Sequence, residues 1–197
     1  ADVWARNIGI RRATHDVIVS SNIDIIPGPR ECLDFSKYDQ NVFYSSNKYM
    51  IERSLIDELR DRNVSWHHIQ EYLFQTRNSY YRQKGYDGDP WSVVSGCGDF
   101  QFGHRKIWFD DNVRGFEEPL IYKDHTDTNL HKKIIENAHY DVQPALFFHV
   151  FHQSHENIRG NGVCKQNDQY VSVQGFGQTT NSSEWGFVNE TFEESRI

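Results

Sequence analysis

The sequence predicts an α/β domain, and three observations carry that prediction. A short helix over residues 3–13 runs into a β-branched apolar segment at 16–26. Apolar residues then recur at helical spacing, and a second apolar strand follows at 145–151. The 197 residues suffice for one sizeable core. With 37% hydrophobic and 25% charged residues, 13 Gly and 5 Pro, the chain is neither collagen-like, nor low-complexity, nor wholly disordered. No apolar run approaches the roughly 20 residues needed to span a bilayer. A net charge of −7 lacks the basic footprint of a nucleic-acid binder. Aromatic residues at 14% and ten histidines fit a polar, aromatic-lined pocket, and fit an aromatic-rich core equally well.

Each element has its own signal. Val3, Ile8, Ile10 and Ala13 mark the first helix; no initiator Met or leader pattern precedes it, which reads as a fragment boundary. Asp16–Ile26 reads as a buried strand of a parallel sheet, stopped by Pro27-Gly28-Pro29. Helix then strand is half of a βαβ unit, whose preceding strand is absent from this chain. Met50, Ile51, Leu55, Ile56 and Leu59 predict a helix over 46–60, and Trp66, Ile69, Leu73 and Phe74 predict another over 66–74 with Ser65 as N-cap. Residues 78–90 read as loop, 96–103 as a turn into a short strand, 104–109 as a brief helix and 129–138 as a longer one. From about residue 157 the chain turns Gly/Asn/Gln/Ser-rich, predicting a loop-rich extension over 157–197 behind a domain over 1–156. Cys32, Cys97 and Cys164 form no CxxC; one disulfide and three buried thiols both stay open.

Three constellations bear chemistry. Ser20-Ser21-Asn22-Ile23-Asp24 ends an apolar strand, where ligands of open α/β sheets collect; a carboxylate with a second oxygen ligand two residues earlier can hold Mg²⁺ or Mn²⁺ against a diphosphate. The competing reading is a polar strand end entering a turn. Lys123-Asp124-His125-Thr126-Asp127 precedes a helix, so Asp127 reads either as N-cap or as general base. His149, His152 and His155 follow the last strand as candidate metal or phosphate ligands, or as hydrogen-bonded structure. No HExxH is present to mark a zinc protease.

In order, these pieces resemble a family. Ala5-Arg6-Asn7-Ile8-Gly9 through Asp16-Val17-Ile18 to Asn22-Ile23-Asp24 resembles the ARNxG…DxD segment of GT-A glycosyltransferases. Gly98-Asp99-Phe100-Gln101, Arg105, Arg114-Gly115-Phe116-Glu117-Glu118 and Thr126-Asp127-Thr128-Asn129-Leu130 resemble its later Gly-rich turn, GGFDE-like and EDxDL-like segments, and Val150-Phe151-His152 its late histidine. The resemblance covers roughly residues 3–155. It implies a GT-A, Rossmann-like mixed sheet flanked by helices, with the first nucleotide-binding strand missing. It implies transfer of a sugar from a nucleotide-sugar donor to the hydroxyl of a carbohydrate or glycan acceptor, with inversion, assisted by Mn²⁺ or Mg²⁺. Carried over position by position, Asp24 and His152 would hold the metal and Asp127 would be the base. Asn22, Asn7 and Arg6 would flank the donor, Asn22 standing where the first Asp of DxD often lies. Asp99, Glu118, Thr126 and Trp91 would meet the acceptor, with His155 and Asp124 as further candidates. Trp91, Trp108 and Tyr122 flank these motifs and could stack on sugar faces. Thr126 and Asn129 replace acidic residues of the EDxDL-like segment.

Two rival readings are a catalytically weak GT-A-like domain that binds carbohydrate or nucleotide, and a metal-dependent hydrolase built on the histidine cluster. Sequons at Asn63, Asn181 and Asn189 would permit a Golgi-lumenal location in a eukaryote; otherwise a cytoplasmic one is expected.

Overall fold

The computed structural model describes residues 2–30, 33–80, 83–84, 98–120, 125–153 and 165–191. It is a mixed α/β structure in which helices flank a mixed, six-stranded sheet. Helix α1 (Asp2–Arg12) buries Val3, Asn7 and Ile10, one face at helical spacing, and places Asp2 and Arg11/Arg12 at the ends that suit the helix dipole. Strand β1 (Val17–Ser21) follows, then β2 (Ile25–Pro27), with Asn22, Ile23 and Asp24 in the turn between them.

The expected single parallel strand over 16–26 is thus two short strands. β1 lies at the sheet edge, antiparallel to β5 (Phe100–His104). Its apolar run misleads because Ile18 faces the core while Val19 is 38% exposed, the alternation of a half-buried strand. The helix expected over 46–60 divides as well: Val42–Ile51 is strand β3, and α2 (Arg53–Asp61) begins after Glu52. β3 is apolar on both faces, Phe43 on one and Val42 and Tyr44 on the other, so no single period shows. Helix α3 (Trp66–Tyr80) is capped as expected, Ser65 Oγ accepting from His68 N at 3.4 Å.

β3 pairs antiparallel with β5 and with β4 (Gln83–Lys84), and parallel with β6 (Asp141–Gln153). The β3–β6 register jumps between Ser46 and Asn47, whose partners are Ala145 and His149, so the sheet has two halves. β1 and β5 flank the first half. In the second, β2 pairs antiparallel with β6, setting Ile25 opposite His152. Helix α4 (Arg105–Trp108) follows β5, and α5 (Thr126–Lys132) continues into a wide π-helical turn, Lys133–Asn137.

Three apolar clusters hold these layers. Val3 and Ile10 of α1, Ile18, Phe43, Trp108, Leu130, Ile134 and Trp185 form the largest. Tyr44, Phe100 and Phe102 pack under residues 33–38 on the other face, and Tyr49, Ile51, Ile56, Leu73 and Phe151 join the second half to α2 and α3. Each fully buried side chain of this size contributes about 1.5–3 kcal/mol. Trp108 is among them at 0% exposure, so it is a core residue and not a sugar platform.

The segment expected as a loop-rich extension contains helix α6 (Lys165–Gln174) and a packed strap, residues 175–191, that carries Trp185 into the main core. Its Asn181 is buried, its amide donating to the carbonyls of Arg114 and Phe116 at 2.7 and 2.6 Å, which closes that sequon to a glycan in the folded chain. Among the described residues no helix is long and apolar enough to cross a membrane. Cys32, Cys97, Cys164 and Tyr122 lie outside the described residues.

Candidate functional site

Strand β1 ends where α1 begins, so the turn after β1 faces the first turn of that helix. Arg6, Asn22, Asp24, Asp99, Thr126 and Asp127 line one open cleft of about 560 Å³ there. The elements that deliver them are separate in sequence: α1, the β1–β2 turn, the turn entering β5, and the start of α5. His152 of β6 joins the group through Asp24, its Nε2 lying 3.3 Å from Asp24 Oδ2. Pairing of β2 with β6 sets this contact, and Gln153 N donates to Asp24 O at 3.1 Å beside it.

The charges on the cleft wall are interlocked. Arg6 Nε donates to Asp2 at 2.9 Å, Nη1 to Ser20 Oγ at 2.9 Å, and Nη2 to Asn22 Oδ1. Asn22 Nδ2 donates to Asp99 Oδ1 at 2.6 Å, and Lys48 of β3 pairs with Asp99 Oδ2. Lys48 and Asp99 are both nearly buried, which strengthens their attraction over that of a surface pair.

Asp127 is the second residue of α5, not its N-cap; that place belongs to His125, in the left-handed conformation at φ 71°. Gly98 closes over Asp127 so tightly that a Cβ at 98 would fall on the carboxylate. Burial pushes the Asp127 carboxyl up to about 6; Arg6 and Lys48 oppose the shift, and Asp99 and Asp2 reinforce it. A carboxyl titrating there can take a proton near neutral pH.

Among the described residues, no group of three or more His, Cys, Asp or Glu forms a ready cage for a metal ion. The Asp24–His152 pair still suits a partial site. Two donors about 3 Å apart are adjacent ligands of an octahedral ion with bonds of about 2.1 Å, and such ions commonly take their remaining ligands from substrate phosphate and water.

Other expected site residues sit elsewhere. Asn7 is fully buried, its amide donating to Phe116 O at 2.8 Å and accepting from Phe116 N at 2.9 Å, so it ties α1 to the loop after α4 rather than facing a donor. Glu118 accepts from Gly186 N at 2.8 Å and from Asn7 at 3.2 Å, tying the strap, and lines a different hollow. Asn129 is likewise buried, accepting from Gly177 N at 2.8 Å. His149 lies against Tyr49 and Phe74, ring centroids 5.5 and 5.9 Å away, and its odd spacing from His152 along β6 puts the two on opposite faces. Trp91, Asp124 and His155 lie outside the described residues.

Lys48 is the residue that sequence reasoning missed: it braces Asp99 from β3, while Ser20, part of the strand-end segment the sequence singles out, braces Arg6. Reading 46–60 as helix hid Lys48, whose signal was its place in a strand of β-branched and aromatic residues. No family model matches the chain, and no curated protein matches it.

Proposed function

We propose that the chain is a GT-A-type glycosyltransferase domain that moves a sugar from a nucleotide-sugar donor to an acceptor hydroxyl with inversion. The observation that carries this reading is the partly desolvated Asp127 carboxyl, titrating at about 6, in the same cleft as the Asp24–His152 pair. Asp24 and His152 would hold Mn²⁺ or Mg²⁺, which when bound supplies Lewis-acid neutralisation of the departing diphosphate. Asp127 accepts the acceptor's proton as that hydroxyl oxygen bonds to the anomeric carbon. The bond from that carbon to the diphosphate oxygen breaks on the opposite face, with its electron pair leaving on the diphosphate. Asp99 and Thr126, on the same wall, orient the acceptor. Gly98, pressed on Asp127, holds the base in place.

A panel of nucleoside diphosphates, each with and without Mn²⁺, tests donor class through thermal shift, since a ligand of the native state raises the melting temperature. Turnover with the matching nucleotide-sugars and simple glycans then tests chemistry. Asp127→Asn should cost about 10²–10⁴-fold in turnover while leaving nucleotide binding intact. Nucleotide binding with no turnover in the wild type would instead favour a binding domain, and turnover that survives both Asp127→Asn and Asp24→Ala would refute the residue roles.

A further inference from the structure

We infer that Asn22 is a positioning residue, an uncharged bridge dictated by Arg6 and Asp99, and that it is not a ligand of the cation. The inference rests on the proposed cation role of Asp24 and His152 only in its metal-binding arm.

A side-chain amide carries an acceptor and a donor on one short planar group, and Asn22 uses both ends. Its oxygen accepts from Arg6 Nη2, and its nitrogen donates to Asp99 Oδ1 at 2.6 Å. The backbone repeats the link, Asn22 N donating to Asp99 O at 2.8 Å. Beyond these contacts Arg6 is anchored by Asp2 and Ser20, and Asp99 by Lys48. Lys48, Asp99, Asn22, Arg6 and Asp2 therefore form one chain in which the only neutral member sits between an anion and a cation.

An anionic residue does not fit this place. An aspartate at 22 would still accept from Arg6, but it would set a carboxylate oxygen about 2.6 Å from that of Asp99 with no proton between them. Nor is the amide oxygen well placed to bind a metal, because an ion there would face the guanidinium charge. The bridge instead fixes the Arg6 guanidinium and the Asp99 carboxylate on the cleft wall that they share with Asp127. An asparagine where a metal-binding carboxylate often stands is then a consequence of Asp99 and is no sign of a decayed site.

The test compares the wild-type chain with Asn22→Ala, Asn22→Asp, Asp24→Ala and the double variant Asn22→Asp/Asp99→Asn. Melting temperatures and Mn²⁺ affinity, the latter from electron paramagnetic resonance of free Mn²⁺, are measured for each. Asn22→Asp should melt lower by about 3 °C or more, and the double variant should recover at least half of the loss by restoring a donor opposite the carboxylate. Asn22→Ala should keep Mn²⁺ affinity within about twofold of wild type while Asp24→Ala loses about tenfold or more. The side-chain amide resonances of Asn22 should move on Asp99→Asn and stay in place on His152→Ala, a signature that general loosening would not give. An Asn22→Asp chain that melts at or above wild type overturns the bridge, as does an Asn22→Ala chain that loses Mn²⁺ as Asp24→Ala does. If the wild type takes up no Mn²⁺, the cation role of Asp24 falls, and the melting comparison decides the bridge by itself.

Discussion

A carboxyl held where its charge is costly changes how the fold responds to pH, and Asp127 is such a group. Folded, it titrates at about 6, against 3.8 for the free group, chiefly because burial disfavours the anion. The native state therefore holds this proton more tightly than the unfolded chain does. Stability from this group is greatest at acid pH, falls as pH rises from about 4 to about 6, and stays lowered above that window. Asp127→Asn keeps the shape and removes the charge. The variant should be more stable than wild type at pH 8 and indistinguishable from it near pH 4, with urea unfolding at both values as the check; equal stability at pH 8 would mean the charge is not under strain. At this scale the sequence singles out polar residues beside turns, because chemistry and spacing are local, and the fold brings Asp24, Asp99 and Asp127 into one cleft. Asn7 and Glu118 misled because nothing local distinguishes a polar side chain that binds a ligand from one that ties two buried segments together.

Elements show why some segments were legible. α1, α3 and α4 carry one apolar face or a clear cap, so their periods survive in the sequence. β3 does not, because it is covered on both faces and its last residues merge with the spacing of α2. The π-helical turn after α5 was equally hidden. It buries Lys133, whose ammonium reaches Gly115 O at 2.8 Å and Glu117 Oε2 at 3.1 Å with both side chains fully buried. Burial pulls the Lys133 ammonium down to about 8, and Glu117 works against that shift. Glu117 Oε1 also accepts from Tyr170 at 3.1 Å and from Thr180 N at 2.9 Å, so the pair joins α5, α6 and the strap. Lys133→Met should destabilise by about 3–5 kcal/mol because it strands a buried carboxylate. Adding Glu117→Gln should restore much of that loss. A double-mutant cycle from denaturant midpoints measures the coupling, and a sum of independent losses would show that the two charges are not a unit.

On the scale of the whole molecule, the question is whether residues 165–191, the described part of the expected extension, are an appendage or part of the unit that builds the cleft. Composition favoured an appendage, since Gly, Asn, Gln and Ser leave no period to read. The contacts argue for the second answer. Trp185 is 2% exposed, stands edge-on to Phe109 at 5.4 Å and has the Arg11 guanidinium over its ring at 5.1 Å. Arg12 donates to Gly186 O at 3.1 Å and to Glu190 O at 2.9 Å, so the strap grips the C-terminal end of α1. The N-terminal end of that helix presents Arg6 to the cleft. Loosening the strap should therefore cost global stability and disturb a site on the far end of the same helix. Trp185→Ala should destabilise by about 3–5 kcal/mol, the range for removing a large buried aromatic. Unfolding should stay a single transition in which circular dichroism and tryptophan fluorescence coincide. A chain ended after Gln174 should lose the cooperative transition altogether. An appendage would behave otherwise: removal would leave the main transition within about 1 kcal/mol of its original stability, or the full chain would unfold in two separate steps.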